Sequence, residues 1–199
     1  MKNRFEFAVN LQHYESNNKL ILDIGCRDKT LKQYLKNNIK YQGIDFEDND
    51  EVIGYNLENG IPFEDDSFDV VFALDILEHL ENIHFLIHEV VRVARNEVII
   101  ALPNCYHWHY KKNIILNKPL NTKYKIPLTK VLDRHRWVTF HSANKFLIFN
   151  VLKDYDIEYH KFICNYKNHK SFFYIDRFFS KYFPNTFVYT DFFHIKIKK

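Results

Sequence analysis

The sequence predicts an α/β fold: a doubly wound, mostly parallel sheet with an antiparallel strand pair near the C-terminus. Short apolar runs alternate with segments of helical periodicity through the first hundred residues, as expected for right-handed β-α-β crossovers. Two further strand-like runs near the end of the chain flank one helical segment. The 199 residues, 46% of them hydrophobic, are enough for one substantial core, so we expect a single domain over residues 1–199.

The strands are predicted from apolar runs in chain order. LILDIG ends in an acid and a glycine, YQGID ends at Asp45, and EVIGYN is a short third strand. DVVFAL has the β-branched and aromatic content of a strand buried on both faces, and EVIIAL is stopped by Pro103. The antiparallel pair is predicted near residues 157–164 and 187–197.

Helices are predicted between these strands. Apolar positions at helical spacing mark residues 28–38, 77–96 and 142–152, and SFFYIDRFFSKYF (171–183) separates the last two strands. Residues 104–138 lack this periodicity and are too long for a simple connection. We therefore predict a substrate-side insertion over residues 104–138.

Charge and aromatic residues are distributed unevenly. Residues 1–102 contain 10 Lys and Arg against 19 Asp and Glu, whereas residues 103–199 contain 18 against 6. A basic and aromatic surface favours an anionic acceptor, such as a sugar nucleotide, a lipid-linked sugar or RNA. A coding bias toward Lys and Asn would give the same composition. None of the common nucleic-acid-binding motifs is present, so a nucleic-acid acceptor is not favoured.

Nothing in the sequence predicts export or a transmembrane segment. No run approaches the ~20 apolar residues that cross a bilayer, and the start of the chain lacks the apolar block of a signal peptide. Three widely spaced cysteines suit a reducing compartment, so we expect a cytoplasmic protein. One helical stripe would suit peripheral membrane contact, or packing on the sheet or on a second subunit: Phe172, Ile175, Phe179 and Tyr182.

The turn after the first strand is a candidate cofactor site. In open α/β sheets, ligands bind beyond the carboxyl ends of the strands, and residues 23–30 occupy the first such turn. Gly25 would let the backbone approach a ligand closely. Asp45 follows Asp23 by 22 residues, close to the spacing of about 20 at which an acid binds ribose hydroxyls. These features predict a cofactor that contains adenosine.

Five consecutive segments resemble the class I S-adenosylmethionine-dependent methyltransferases. LDIGC resembles that family's first motif, and GIDFE resembles its ribose-binding acid. NLENGIPFEDDSFDVVF is similar to the stretch through the adenine pocket and fourth strand, ALDILEHLEN to the segment after it, and IIALPN to the fifth strand. The resemblance covers roughly residues 19–104. It implies an enzyme of this family with S-adenosyl-L-methionine as its cofactor.

The resemblance also implies roles for individual residues. Asp23, Gly25 and Cys26 would line the methionine end of the cofactor, and Asp45 would bridge the ribose hydroxyls. Arg27 would pair with the cofactor carboxylate or face outward. Six further contacts are implied: Phe46 against the adenine, Asn56 and Leu57 at its edge, and Leu74, Asp75 and Leu77 beneath the sulfonium. For the three leucines, plain core packing is the alternative.

The family commonly has glycine where Arg27 and Lys29 stand. If Arg27 takes a positive φ, its Cβ costs on the order of 1 kcal/mol, which a fold stabilised by about 5–15 kcal/mol tolerates. Two interpretations therefore stay open. One is an active methyltransferase, and the other is a non-catalytic module of the same fold that binds or regulates a partner protein.

The chemistry expected of such an enzyme requires alignment more than a reactive side chain. Methyl transfer is an in-line displacement, favoured by positioning and by exclusion of water. We favour O-methylation of a small or carrier-linked acceptor, such as a sugar or lipid-linked intermediate. A hydroxyl acceptor would benefit from a general base, for which His107, His109 and, slightly preferred, His135 are candidates. The HWH pair lacks a third ligand at a supporting spacing, so no metal site is predicted.

Overall fold

The computed structural model describes residues 3–14, 18–118, 134–164 and 170–198. Within these residues, seven strands form one sheet: β1 (Leu20–Ile24), β2 (Lys40–Asp45), β3 (Val52–Gly54), β4 (Phe68–Leu74), β5 (Ala94–Pro103), β6 (Asp156–Phe162) and β7 (Thr190–Lys196). Their order across the sheet is β3-β2-β1-β4-β5-β7-β6. The predicted α/β architecture is confirmed.

The first five strands are all parallel. β1 pairs with β2 on one side and with β4 on the other, and the sheet continues to β3 and β5 at its two sides. The strand order reverses at β1, because β2 and β3 lie on one side of β1, whereas β4 and β5 lie on the other. Ligands in open parallel sheets bind beyond the carboxyl ends of the strands at such a reversal.

The predicted antiparallel pair is confirmed, with a placement that the sequence did not specify. β7 pairs antiparallel with both β5 and β6, and it lies between them. β7 is buried along most of its length, and its residues pair with those of β5. Ile99 lies opposite His194, and Ala101 lies opposite Phe192. The chain therefore reaches the outer strand β6 before it returns to complete the sheet.

Helices and short turns connect the strands. The α-helices are α1 (Arg4–Val9), α2 (Ile83–Arg92), α3 (Trp108–Ile115), α4 (His141–Val151), α5 (Lys170–Phe179) and α6 (Pro184–Phe187). In the described parts of the chain, three 3-10 helices follow strand ends, at Thr30–Tyr34, Leu57–Asn59 and Leu77–His79. No helix in the described parts of the chain combines the length and apolar character needed to cross a membrane.

Two helix predictions were too long. Only the 3-10 helix Thr30–Tyr34 follows β1, where an α-helix was expected over residues 28–38. Within residues 77–96, α2 begins only after Asn82, whose side chain accepts a hydrogen bond from the Phe85 amide at 3.1 Å. Its C-terminal end is early as well, because Ala94 already pairs with β4 as the first residue of β5.

The core covers both faces of the sheet. On one face, α2 and α4 pack through side chains such as Leu86 and Ile148 against Val71 and Ile100. On the other face, Phe72 packs with residues of α1 and of the first 3-10 helix. β4 is buried on both faces, as its sequence predicted. Because both faces are occupied, a ligand is accommodated at the ends of the strands rather than on the sheet.

The two helices predicted in the second half are present as α4 and α5. The predicted insertion 104–138 contains α3 and a segment at residues 134–138, while residues 119–133 lie outside the described residues. The aromatic stripe of α5 and the turn after it faces solvent, with each of its side chains more than a third exposed. The fully buried side chain of α5 is a charged one, Asp176. None of the four side chains belongs to the described core on either face of the sheet, which argues against the alternative that the stripe packs on the sheet.

Candidate cofactor site

A cavity of about 1480 Å³ opens at the carboxyl ends of β1, β2 and β4. Gly25 follows β1, Asp45 ends β2 and Asp75 follows β4, and all three line the cavity. These parallel strands are neighbours, so their ends bring residues that are distant in sequence to one edge. The cavity lies where the strand order reverses.

The structure brings nearly all predicted cofactor contacts to this cavity. Its lining includes Asp23, Gly25, Cys26, Arg27, Asp45, Phe46, Asn56, Leu57, Leu74 and Asp75. Leu77 is the exception, because it is fully buried in the core that α2 forms with the sheet. For Leu77 the core-packing alternative holds: a 3-10 helix starts at this residue and turns its side chain inward.

The turn after β1 follows a glycine-like backbone course even where it lacks glycine. Gly25, Arg27 and Lys29 have φ values of 72°, 48° and 58°, all in the left-handed region. The Arg27 amide donates to Asp45 Oδ2 at 2.7 Å, and Lys29 Nζ donates to the Asp50 carbonyl at 2.9 Å. A left-handed residue with a Cβ costs about 1–2 kcal/mol. The Arg27 side chain is exposed, and the cavity stays open beside it.

Gly25 is the position of this turn at which a side chain is least tolerable. A Cβ built on Gly25 would lie 2.7 Å from Ile76 Cδ1 and 2.9 Å from Ile76 Cβ, and the Cβ atom is fixed to the backbone and cannot move aside by a rotamer change. We expect Gly25→Ala to lower the free energy of unfolding by roughly 2–5 kcal/mol, from left-handed strain and overpacking together. Urea titration followed by circular dichroism measures this change.

Arg27→Ala is the matched control for that substitution. Residue 27 shares the left-handed backbone, but its side chain is exposed and already carries a Cβ. We expect its unfolding free energy to stay within about 0.5 kcal/mol of the wild-type value. Equal unfolding midpoints for Gly25→Ala and Arg27→Ala would contradict the close contact between Gly25 and Ile76.

Asp45 is held at the rim of the cavity by two backbone amides. Its Oδ2 accepts from the Arg27 amide at 2.7 Å, and its Oδ1 accepts from the Phe46 amide at 2.6 Å. A carboxylate has about four acceptor sites, so each oxygen can accept one more hydrogen bond. The neighbouring Phe46 ring is 52% exposed. This part of the rim offers paired acceptors for a diol and an aromatic face for a flat ring.

Asp23 is the buried acid of the site. It is only 4% exposed, and burial raises the pKa of its carboxyl to about 7, although a 2.8 Å hydrogen bond from Tyr41 Oη opposes the rise. Repulsion from Asp45 raises this pKa further. Burial, with the same acids, also raises the pKa of the Cys26 thiol to about 12. Cys26 is therefore a protonated thiol at neutral pH and not a nucleophile.

Tyr41 and Arg4 are contacts of the site that were not predicted from the sequence. Tyr41 precedes Asp45 by four residues on β2. Because side chains on a strand alternate between its two faces, Tyr41, Gly43 and Asp45 lie on the same face. That signal was available. Arg4 of α1 forms an ion pair with Asp75 and lines the cavity, but no spacing rule connects residues so far apart in sequence.

The three histidines predicted as candidate bases lie in different parts of the structure. His135 lines the cavity together with Glu78 and His79. His107 is fully buried, with Nε2 3.2 Å from Asp176 Oδ2, and its Nδ1 accepts from the His109 amide at the start of α3. Neither His107 nor His109 belongs to the described lining of the cavity. Of the three candidates, His135 is the one that the described lining of the cavity includes.

Comparison with protein families assigns the chain. A family model described as "Methionine biosynthesis protein MetW" matches residues 4–191, which is most of the chain. The chain belongs to the MetW family. A comparison with curated proteins found no match.

Solved structures similar to this MetW-family chain share its fold. One is a SAM-dependent methyltransferase from Archaeoglobus fulgidus, with 18% identity, a TM-score of 0.56, and coverage of 90% of this chain and 86% of that one. A second, a possible histamine N-methyltransferase from Thermotoga maritima, has 11% identity, a TM-score of 0.62, and coverage of 98% and 88%. The third is phosphoethanolamine N-methyltransferase 2 from Haemonchus contortus in complex with S-adenosyl-L-methionine, with 12% identity, a TM-score of 0.59, and coverage of 98% and 52%. The predicted class I methyltransferase fold is confirmed.

The cavity of the MetW-family chain has two chemically different parts. Asp45 and Phe46 offer acceptors and an aromatic face, while Glu78, His79 and His135 form a group of titratable side chains. Small-molecule sites usually have volumes of about 300–1000 Å³, and the volume of this cavity exceeds that range. One rim can hold a nucleoside, and the other can move protons or bind a cation.

Proposed function

We propose that this MetW-family chain transfers a methyl group from S-adenosyl-L-methionine to a hydroxyl oxygen of a small or carrier-linked acceptor. The observation that carries the proposal is the position of Asp45, fixed by the Arg27 and Phe46 amides at the end of β2, beside the turn from β1. A ribose diol pairs with such a carboxylate through two hydrogen bonds, one to each oxygen.

The residues around the turn fit the remainder of that cofactor. Phe46 supplies a flat apolar surface for adenine, and Asn56 and Leu57 lie in the same wall. Asp23 is a buried acid at the end of β1, where a positively charged sulfonium or ammonium would be stabilised. The cofactor supplies an electrophilic methyl group on a sulfonium, so the protein needs to align the acceptor and exclude water.

A hydroxyl acceptor is favoured by the group at the other part of the cavity. When a hydroxyl oxygen forms its bond to the methyl carbon, the carbon–sulfur bond breaks, its electron pair stays on sulfur, and the hydroxyl proton must leave. Glu78, His79 and His135 are the side chains of the cavity wall that can assist loss of this proton. An amine that is already neutral attacks through its lone pair and does not require such assistance for the attack. A sugar or lipid-linked hydroxyl in the cytoplasm is the acceptor class we favour.

Calorimetry tests the proposal directly. We expect the purified protein to bind S-adenosyl-L-methionine and its demethylated product with a stoichiometry of one, and mass spectrometry of the native protein to show either molecule carried through purification. Adenosine alone should bind more weakly, since it lacks the charged methionine portion. Absence of binding of both cofactor forms at millimolar concentration would overturn the proposal and favour a non-catalytic module that acts on a partner protein.

A further inference from the structure

Three potential metal ligands converge on the wall of the cavity. Glu78 and His79 belong to the 3-10 helix after β4, and His135 comes from the segment at residues 134–138. One ligand atom from each lies within 4.8 Å of the other two. The side chains of Glu78, His79 and His135 are 1%, 10% and 9% exposed. The group is therefore buried from bulk solvent while it borders the cavity.

The distances within this group fit ligands around one ion better than hydrogen-bonded partners. Glu78 Oε1 is 3.8 Å from His79 Nε2 and 3.8 Å from His135 Nε2, too long for hydrogen bonds. Two ligands on one tetrahedral ion with bonds of about 2.0–2.1 Å lie about 3.3 Å apart. A contraction of roughly 0.5 Å would bring Glu78 to that spacing from each histidine, and the ligand atoms of the two histidines lie within 4.8 Å of each other. The two rings meet at 77°, so their nitrogens approach from different directions.

Hydrogen bonds that use none of the three ligand side chains lock the two segments together. The Arg136 amide donates to the Glu78 carbonyl at 2.8 Å, and Arg136 Nε donates to the His79 carbonyl at 2.7 Å. Trp137 Nε1 donates to the Leu80 carbonyl at 2.7 Å. Such supporting contacts keep metal ligands oriented.

A second group with similar composition is a weaker candidate. His13, Glu158 and His194 also have ligand atoms within 4.8 Å of one another, but they lie outside the cavity lining. The Glu158 carboxylate is paired with the Lys196 ammonium, and His194 Nε2 lies 3.4 Å from Glu97. A permanent cation already occupies that carboxylate, so the second group serves as a control.

We propose that Glu78, His79 and His135 bind one divalent transition-metal ion whose open coordination positions face the cavity. Two imidazoles and one carboxylate suit Zn²⁺, Fe²⁺, Co²⁺ or Mn²⁺ better than Mg²⁺ or Ca²⁺, which prefer ligand sets made of oxygen. The role of the ion rests on the proposed function. An acceptor hydroxyl bound to it would lose its proton to water near neutral pH, as metal-bound water does, and its oxygen would attack the methyl group.

Metal titration of the chelator-treated protein tests the site without any acceptor. Calorimetry with Zn²⁺ and visible absorption with Co²⁺ should both show one ion bound. Loss of a supporting contact typically weakens metal binding about 10- to 100-fold, so loss of a ligand in His135→Gln should weaken it by roughly 100-fold or more. Glu78→Gln, which keeps the shape of the side chain, should have an effect of the same size.

Two histidine variants serve as matched controls. His84→Gln removes an exposed histidine from α2, and His13→Gln removes a ligand from the second group. Both should bind the ion at the cavity as the wild type does. No binding at millimolar metal, equal loss in all histidine variants, or loss confined to His13→Gln would each overturn the proposal.

Cofactor calorimetry on the same variants separates this proposal from the proposed function. His135→Gln and Glu78→Gln should bind S-adenosyl-L-methionine as the wild type does, since neither residue contacts the Asp45 rim. Unchanged cofactor affinity together with lost metal affinity would support the metal site and show that the variants fold. Metal binding in a protein that never binds the cofactor would uphold the ion site and overturn the methyltransferase function instead.

Discussion

Asp45→Ala is expected to weaken binding of S-adenosyl-L-methionine and of its demethylated product by about 10²- to 10⁴-fold. Each hydrogen bond to a charged group contributes about 1.5–3 kcal/mol, and the substitution removes two from the ribose diol. Tenfold in affinity corresponds to about 1.4 kcal/mol, which gives this range. Calorimetry, with displacement for the weak variant, measures both dissociation constants.

Two companion variants show whether the loss arises from contact with the cofactor. Asp50→Ala removes an exposed acid from the same loop, outside the described lining of the cavity, so it changes the charge without touching the diol. Its affinity should stay within a few-fold of wild type. Asp45→Asn keeps an oxygen for the Arg27 or Phe46 amide, and it should preserve more of the thermal stability than Asp45→Ala. Equal affinities for Asp45→Ala and Asp50→Ala would contradict a ribose contact at Asp45.

The sheet could be predicted because each parallel strand carries its own evidence. β4 shows the continuous apolar run of a strand buried on both faces, and Pro103 marks the end of β5. The position of β7 between β5 and β6 could not be predicted, because an apolar run predicts a strand but does not indicate which strands pair with it. Helix limits were missed for a local reason. The cap at Asn82 and the pairing of Ala94 with β4 override a periodicity that continues past both points.

The cofactor rim was predictable to the degree that it depends on strand ends. Gly25 and Asp45 follow consecutive strands, so topology alone brings them together. Leu77 was predicted at the cavity but lies in the core. A 3-10 helix that the sequence did not indicate starts at this residue and turns its side chain inward. The proximity of Glu78, His79 and His135 could not be predicted, because it joins residues up to 57 apart in the sequence. The geometry of this group depends on the hydrogen bonds of Arg136 and Trp137.

Asp23→Asn is expected to remove most of a pH dependence of stability that the wild-type protein shows between about pH 4 and pH 7. In the folded protein, burial raises the pKa of this carboxyl to about 7, whereas an unfolded aspartate has a pKa of about 3.9. The unfolded chain releases the proton first as the pH rises. The neutral acid thus contributes its full stability below about pH 4, and this contribution is lost as the pH rises through 7.

The size of the effect follows from the difference between the two pKa values. About three pH units at 1.36 kcal/mol each give a loss of roughly 4 kcal/mol for a fully buried carboxyl, an upper figure for this residue. Asp23→Asn keeps the shape and stays neutral. The variant should therefore exceed the unfolding free energy of the wild type by only about 1 kcal/mol at pH 4.5, and by up to the full amount at pH 8. Denaturant titrations at both pH values measure the difference, in which the other titrating groups cancel.

Tyr41→Phe tests the cause of the shift from the opposite direction. The Tyr41 hydroxyl donates to Asp23 and lowers its pKa, so removal of the hydroxyl should move the pH-dependent loss of stability to higher pH.

The cofactor should act like the hydroxyl, only more strongly, since a cationic sulfonium beside Asp23 favours the carboxylate. Binding at pH 6 should then release a proton to the buffer. Calorimetric heats that do not vary with buffer ionisation enthalpy at pH 6 would place the positive charge of the cofactor away from Asp23.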